Sequence, residues 1–174
     1  MFSKIKPPLV LMLICLLTTA LLVVAYNVTY VDTTGIITEK LRAGCVETIG
    51  EGDFEMLTDV KAEGVTSIIV DKSAKKCAFE IVADGYVKGG LHVIVGMDEN
   101  GVVSGVSVIG IAETPGLGTK VKKKDFLDKF KGINSTEIAV DNVTGATFSS
   151  KGMKSAVALA VETFGAKKGE IFGE

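Results

Sequence analysis

The sequence is poor in the residues that most often mark redox and metal centres. Its 174 residues include three cysteines, one histidine and no tryptophan. No two cysteines form a Cys-x-x-Cys pair, and three thiolates are too few for an iron–sulfur cluster that takes four ligands from this chain. His92 has no second histidine with which to share a metal ion, so we predict no metal site.

The sequence also lacks a strong excess of charge of either sign. Its formal net charge is −2, and 23% charged with 47% apolar residues is typical of a globular protein rather than a disordered one. Without a basic excess, binding to duplex nucleic acid is not expected. Internal repeats, low-complexity stretches and long linkers are absent as well, so we predict one globular domain.

The cysteines leave two alternatives open. Cys15 lies inside an apolar run, whereas Cys45 and Cys77 lie in the polar part of the chain. The latter two could form a disulfide if the domain faces an oxidising compartment. The simpler interpretation is that each is an unpaired buried thiol.

A long apolar run near the N-terminus is the first informative feature that is present. Residues 9–26 carry no charge over eighteen positions, which is close to the ~20 residues that a helix needs to cross a ~30 Å hydrocarbon layer. We therefore predict a single-pass transmembrane anchor over 9–26. The alternative is a cleaved signal peptide, for which Val23-Val24-Ala25 offers a small residue at the cleavage position.

The charges that flank this run predict its orientation. Lys4 and Lys6 precede it, and no lysine or arginine follows until Lys40. The positive-inside rule then places residues 1–8 in the cytoplasm. Residues 27–174 would form an extracytoplasmic domain at the inner (plasma) membrane of the cell.

The remaining patterns predict an α+β fold, in which one domain with an antiparallel sheet and packed helices follows the transmembrane helix. β-branched runs predict strands over Thr66–Val70, Cys77–Val82, Leu91–Met97 and Val102–Ile111. The last two would form a hairpin around Asn100-Gly101, a sequence suited to a tight turn.

Helical spacing predicts three helices in this domain. The first would be capped within Asp32–Gly35 and would end near Gly44. The second would start around Val121, and the third would be capped by Ser149 or Ser150. We expect a further strand between the second and third helices, and all helices on one side of the sheet.

Two stretches have the composition of a binding site. In the first, Asp141-Asn142-Val143-Thr144-Gly145-Ala146-Thr147, a threonine hydroxyl stands beside the start of a helix. The unpaired N–H groups and the positive dipole of a helix N-terminus favour a phosphate. On physical grounds alone, an ordinary helix cap is the favoured explanation of the same residues.

The second stretch runs from Glu113 to Lys120 and reads ETPGLGTK. Pro115 and Gly116 suit the two central positions of a type II turn. Taken by itself, this pattern predicts a tight loop between a strand and a helix.

The first stretch resembles the D-x-x-T/S-G-A-T signature of the FMN-binding domain family. The signature residues fall on Asp141, Thr144, Gly145, Ala146 and Thr147. In that family the final threonine receives FMN through a phosphoester bond, which a dedicated flavin transferase makes. The resemblance implies that FMN is attached covalently to Thr147.

The second stretch is similar to the flavin loop in two branches of the same family. These are the G subunits of Rnf-type ferredoxin:NAD⁺ oxidoreductases and the C subunits of the Na⁺-translocating NADH:quinone reductases. The resemblance implies cofactor contacts from the following residues of the loop: Glu113, Thr114, Gly116, Leu117, Gly118 and Lys120. Those relatives often carry a histidine shortly before the glutamate, which Ile111 and Ala112 replace here, so no histidine role transfers.

The resemblance implies a membrane-anchored electron-transfer subunit of an Rnf-type complex coupled to Na⁺ or H⁺ movement, not an independent enzyme. Its partners would be the other integral-membrane and peripheral subunits, and the flavin transferase during maturation. The alternatives are an exported flavin sensor or electron donor of another membrane reductase, the C subunit of a Na⁺-translocating NADH:quinone reductase, and a purely structural anchored domain.

Overall fold

The computed structural model describes residues 6–29 and 35–173, which divide into an N-terminal helix and a globular unit. Helix α1, Lys6–Thr29, contains a stretch, Pro8–Thr29, that is long and apolar enough to cross a membrane by length and composition. The predicted anchor over 9–26 falls within it. The predicted capping residues Asp32, Thr33 and Thr34 lie outside the described residues.

The globular unit begins with helix α2, Glu39–Ile49. Its first turn is capped by Thr38, whose hydroxyl accepts a hydrogen bond from the Leu41 N–H at 3.3 Å. The predicted end near Gly44 is wrong, because the helix continues to Ile49. A Cβ atom at Gly44 would collide with Ile94 and Ile109. This glycine therefore lets the helix approach the sheet closely instead of ending it.

Five antiparallel strands follow and pair in sequence order, each with the next. Their bounds are β1 Glu55–Leu57, β2 Val65–Asp71, β3 Lys76–Ala83, β4 Leu91–Met97 and β5 Val103–Ile111. The four predicted strands are confirmed to within about a residue, and so is the α+β class. Strand β1 was not predicted, because three residues are too few to show an alternating pattern.

The turn of the β4–β5 hairpin depends on a residue that the sequence prediction did not use. One carboxylate oxygen of Asp98, Oδ1, accepts hydrogen bonds from the N–H groups of Asn100 and Val102, each at 2.9 Å. An aspartate that bonds the backbone after it is a common turn device. The hairpin is therefore held by Asp98 as well as by the predicted Asn100-Gly101 pair.

Helices cover both faces of the sheet, so the prediction of helices on one side is wrong. The long last helix, Thr147–Phe172, packs on one face, and α2 packs on the other. Val93, Ile94 and Val95 in β4 are each fully buried. Consecutive buried residues in a strand indicate that both of its faces are covered.

The segment between β5 and the last helix is less regular than predicted. The single helix expected from Val121 is instead a 3₁₀ turn, Gly118–Lys122, then helix α3, Lys124–Leu127, and a second 3₁₀ turn, Asp128–Phe130. Lys123 has an extended backbone conformation, which interrupts the helix.

The strand expected before the last helix is also absent from residues 131–146, all of which the structure describes. That segment is fixed to the edge of β5 by two backbone hydrogen bonds. The Val103 N–H donates to the Ile133 carbonyl, and the Gly132 N–H donates to the Val103 carbonyl, both at 2.8 Å. Two isolated bonds anchor a loop without forming a strand. The last helix, Thr147–Phe172, is named α4 below.

The two cysteines of the globular unit are free thiols on opposite faces of the sheet. Cys45 belongs to the cluster under α2, and Cys77 to the cluster under α4. The alternative of a disulfide is therefore excluded. Burial, with a smaller contribution from Glu80, raises the pKa of the Cys45 thiol to about 12. Burial, with a smaller contribution from Asp98, raises the pKa of the Cys77 thiol to about 12.

We expect these thiols to be nearly inert in the folded protein. At pH 8 a thiol of pKa about 12 has a thiolate fraction on the order of a thousandfold below that of an ordinary cysteine of pKa ~8.5. In a Cys15→Ser variant, labelling with a disulfide reagent should therefore be slow until denaturant is added, and two thiols should then react. Fast labelling of either thiol in the folded protein would contradict the buried placement.

Candidate functional site

A cleft of about 450 Å³ lies beside the first turn of α4. Three segments surround it, namely the 84–90 loop that follows β3, the 113–118 loop that follows β5, and the start of α4. The volume is in the range of small-molecule sites, ~300–1,000 Å³. Its lining residues are Tyr86, Glu113, Thr114, Leu117, Gly118, Gly145, Ala146, Thr147, Phe148 and Ser149.

Helix α4 begins at Thr147, and its N-terminus has no side-chain cap. The residue at the cap position is Ala146, which carries no hydrogen-bonding side chain. Helix geometry leaves the first N–H groups of α4 without an acceptor inside the helix. The Thr147 side chain is exposed at this positive helix end. The site therefore combines a free hydroxyl with backbone donors for an anion.

The predicted caps, Ser149 and Ser150, are wrong, because both residues lie inside the first turn of α4 and their hydroxyls bond groups outside the helix. Ser150 Oγ accepts a hydrogen bond from the Val143 N–H at 3.0 Å. Ser149 Oγ donates to the carboxylate of Glu113. Both serines are fully buried, so they fasten the start of α4 to its surroundings.

The residue before Ala146 needs a backbone conformation that favours glycine. Gly145 has φ +79° and lines the cleft. A Cβ there would meet Leu117 at an ordinary 3.6 Å, so space is not what selects glycine. The left-handed backbone is what selects it, because a side chain at that φ is strained. This turn delivers Thr147 to the rim of the cleft.

The opposite rim is the predicted tight turn, which is confirmed. The Leu117 N–H donates to the Thr114 carbonyl at 3.2 Å, and Gly116 has φ +75°, as the third residue of a type II turn requires. Thr119 fixes the turn from outside, since its hydroxyl accepts a hydrogen bond from the Gly116 N–H at 2.9 Å. Leu117 is thereby presented to the cleft.

Glu113 lies at the base of the cleft and is 4% exposed. Its carboxylate accepts hydrogen bonds from the Tyr86 N–H at 3.1 Å, the Val87 N–H at 3.0 Å and the Ser149 hydroxyl. Burial alone would raise the pKa of this carboxyl. The bonds from Ser149, Val87 and Tyr86 outweigh burial, and the pKa of Glu113 lies below its usual value. Glu113 is therefore ionised at neutral pH.

The mouth of the cleft is apolar and open to solvent. Tyr86, Phe148 and Leu117 are 72%, 61% and 49% exposed. The Tyr86 and Phe148 rings meet edge to face, with centroids 6.2 Å apart. Large exposed apolar side chains around a concavity are typical of a binding site. Tyr86, Phe148 and Ser149 line the cleft but were not predicted to contact a cofactor, although the position of Phe148 directly after Thr147 could have indicated it.

The structure brings most of the predicted site residues together but not all of them. Glu113, Thr114, Leu117, Gly118, Gly145, Ala146 and Thr147 line the cleft. Gly116 lies in the turn at its rim. Lys120, Asp141 and Thr144 instead line an adjoining groove of about 300 Å³. Lys120 connects the two spaces, since its Nζ lies 3.5 Å from the Thr144 carbonyl oxygen, next to Gly145.

Comparison with known proteins agrees with the two motifs. Residues 86–162 match the FMN-binding domain family. The matched segment contains both rims of the cleft, from Tyr86 to the first turns of α4. The resemblance to this family is therefore confirmed for that part of the chain.

Several curated relatives are named as the G subunit of an ion-translocating oxidoreductase complex. The relative from Shewanella piezotolerans is 34% identical over 109 residues, 54% of this chain and 51% of the relative. Those from Salmonella typhimurium and Vibrio cholerae are 32% and 36% identical, over 63% and 49% of this chain and 55% and 47% of their own lengths. The chain thus spans about half the length of the curated relatives it matches.

Proposed function

We propose that this chain is the flavin-carrying electron-transfer subunit of an Rnf-type ion-translocating oxidoreductase, with FMN joined to Thr147 by a phosphoester. One observation carries the proposal, namely the exposed Thr147 at the uncapped start of α4, on the rim of a cleft with an apolar mouth. FMN would supply one- and two-electron transfer, and the protein would supply position and environment.

The residues at the start of α4 fit a phosphate. The N–H groups of the first turn point along the helix axis without acceptors, and the helix dipole favours negative charge there. Gly145 and Ala146 leave the backbone accessible to a bulky group. The ammonium group of Lys120 next to Gly145 supplies a positive charge within the same neighbourhood, and Asp141 and Thr144 line the adjoining groove.

The rest of the cleft fits a flat aromatic ring system. Tyr86, Phe148 and Leu117 offer apolar surface at its mouth. Thr114 and the backbone of Gly118 offer polar groups along the loop edge, and Gly116 forms the turn beside them. A covalent bond at one end of the ligand removes the need for tight non-covalent binding at the other. An open cleft is therefore sufficient for a tethered cofactor.

A membrane anchor would tether the whole domain near its partners, as the phosphoester would tether the flavin to the domain. We propose that residues 9–26 span the inner membrane, with 1–8 in the cytoplasm and 27–174 outside. The length and apolar character of α1 support the span, and the lysines that precede it, Lys4 and Lys6, support the orientation. A tether raises the effective concentration of the domain near its partners to the millimolar range on short linkers. An electron carrier needs such proximity at every turnover.

The partners would be the other subunits of the complex, as the names of the relatives suggest. The sequence has no G-x-G-x-x-G fingerprint, because Gly116-Leu117-Gly118 lacks the third glycine and follows a turn. NAD⁺ and ferredoxin would therefore bind other subunits, with this chain passing electrons between them. A flavin transferase would act on the chain before assembly.

The function is tested in membranes of the host organism with chains that differ at Thr147. Thr147→Ala should reduce the ferredoxin-dependent reduction of NAD⁺ to the background of membranes that lack the chain, while the other subunits remain assembled. Thr136→Ala, on an exposed loop, is the matched control and should keep the wild-type rate. A sensor or donor for another reductase would leave the Thr147→Ala rate unchanged, and that result would refute the proposal.

A further inference from the structure

Glu113 is a buried carboxylate that the proposed chemistry does not use. Oε1 accepts a bond from the Val87 N–H, and Oε2 accepts bonds from the Tyr86 N–H and the Ser149 hydroxyl. Three donors from two separate segments therefore converge on one side chain. Because both of its oxygens already accept hydrogen bonds from the protein, this carboxylate is poorly placed to bind a ligand. It can instead hold the two segments in position.

The space around this carboxylate is closed by glycines. A Cβ atom at Gly85 or Gly90 would lie 2.5 Å from Glu113 Oε1, and one at Gly118 would lie 2.8 Å from Oε2. The backbones of the 84–90 loop and of the 113–118 loop can thus approach the carboxylate closely. Among the described residues no ion pair involves Glu113, so hydrogen bonds alone compensate for its burial.

We propose that Glu113 is a positioning residue, which fastens the first turn of α4 to the 84–90 loop and so fixes both walls of the flavin cleft relative to the attachment point. The proposal rests on the proposed function in that flavin is taken as the ligand. Ser149 lies two residues after Thr147, and the Tyr86 N–H belongs to one of the two aromatic residues at the mouth. One carboxylate therefore sets the direction of the helix end and the place of the Tyr86 ring.

The geometry of the mouth depends on this link. Tyr86 and Phe148 come from the two segments that Glu113 joins, and their rings meet at 6.2 Å. Both rings are mostly exposed, so packing against the core fixes them little. Without the carboxylate, the first turn of α4 and residues 86–87 would lose the hydrogen bonds that join them, and the packing of Gly152 on Asp84 would remain as the contact between helix and loop. The positions of Tyr86 and Phe148 beside a tethered flavin would then vary, while the bond to Thr147 remained.

The hydrogen bonds to Glu113 depend on its negative charge. The link between the two segments should therefore weaken as the pH falls. Because the pKa of Glu113 is held below its usual value, the charged form is favoured in the folded protein. Its contribution is complete above the ordinary pKa of a glutamic acid, ~4.3, and is lost as the pH falls through the lowered value. The other titratable side chains on the packed segments are Asp84, Tyr86, Lys88, Lys120 and Lys151, and none of them bonds Glu113.

The test compares Glu113→Gln with Asp71→Asn in the full chain. Asp71 is a matched control, since it is also buried and also accepts three hydrogen bonds, from Ser73 and Ala74 at a turn outside the cleft. The first measurement is amide hydrogen exchange in protein made without flavin transferase. Glu113→Gln should speed exchange about tenfold or more both in residues 84–90 and at the start of α4, as loss of bonds to a charged group predicts.

The second measurement is the visible circular dichroism of the flavin-loaded chain as a function of pH. The wild type should change signal below about pH 4.3, whereas Glu113→Gln should show the acid signal at every pH and no transition. Asp71→Asn should keep the wild-type transition. A transition that persists in Glu113→Gln would assign it to another group, such as Asp84, and would overturn the proposal.

Ser149→Ala decides the question if Glu113→Gln does not fold. It removes one of the three bonds and should produce a smaller increase in exchange at both segments. Unchanged exchange at residues 84–90 in that variant would overturn the proposal. A wild-type chain that never acquires flavin would refute the proposed function and leave the exchange result standing, so the two failures are distinguishable.

Discussion

Replacing Thr147 by alanine is expected to remove all covalently bound flavin from the chain. The hydroxyl that would carry the phosphate is then absent, and no neighbouring hydroxyl in the first turn can take over. Ser149 and Ser150 are 1% and 0% exposed, with both hydroxyls hydrogen bonded inside the protein. Fluorescence of the chain after denaturing electrophoresis measures the result, because only covalent flavin survives that treatment.

Two variants separate attachment from folding. Thr147→Ser keeps a hydroxyl at the same place and should retain covalent flavin. Thr136→Ala removes an exposed threonine outside the motif and should keep the wild-type yield. Since Thr147 is exposed, its loss should change the free energy of unfolding by no more than ~0.5 kcal/mol. Undiminished fluorescence in Thr147→Ala would show that flavin is attached elsewhere.

The second large effect concerns the packing of α4 against the loop below the cleft. Gly152 is buried in α4, and a Cβ there would collide with the Asp84 carbonyl oxygen and lie 2.7 Å from Leu91 Cδ1. The Asp84 carbonyl oxygen is a backbone atom, so it cannot move away by a change of rotamer as the end of a flexible side chain can. We expect Gly152→Ala to lower the free energy of unfolding by about 1–3 kcal/mol, the usual effect of overpacking, despite the better helix propensity of alanine.

A second glycine in the same helix provides the control for helix propensity. Gly165 is exposed, and a Cβ there would have no atom within 4 Å. Gly165→Ala should therefore raise the free energy of unfolding by up to ~1 kcal/mol. Denaturant unfolding of the full chain in detergent measures both variants. Equal effects of the two substitutions would contradict the close approach of α4 to Asp84.

The sequence predicted the elements that local patterns determine. The β4–β5 hairpin has alternating apolar residues and a turn sequence, and its bounds agree with prediction to within a residue. The Pro115-Gly116 turn was predicted from two residues with restricted or unusual backbone preferences. In both cases the residues that decide the structure lie next to one another in the chain.

Features that depend on distant contacts were predicted less well. Gly44 was interpreted as a helix end because its partner, Ile94, is fifty residues away, and the close packing of α2 on β4 is invisible in the sequence. Ser149 was interpreted as a cap because its partner, Glu113, belongs to the other motif. Local sequence patterns cannot show which hydroxyl will donate a hydrogen bond to a buried carboxylate.

In the candidate site, too, local features were predicted and long-range contacts were not. Each motif was identified separately, but their convergence on one cleft requires the fold, since β5 delivers Glu113 and α4 delivers Thr147 to the same place. Tyr86 joins them from a third segment, the loop after β3, where Gly85-Tyr86 resembled the same family but was assigned no cofactor contact. Lys120, Asp141 and Thr144 were grouped with the cofactor contacts and lie in the adjoining groove.

The most direct test of the attachment site is the mass of the chain purified from membranes of its native host. We expect a mass increased by one FMN less one water. Trypsin cleaves after Lys131 and Lys151, so peptide 132–151 should carry the whole increase, and fragmentation should place it on Thr147. An unmodified peptide, or a flavin on another residue, would refute attachment at Thr147.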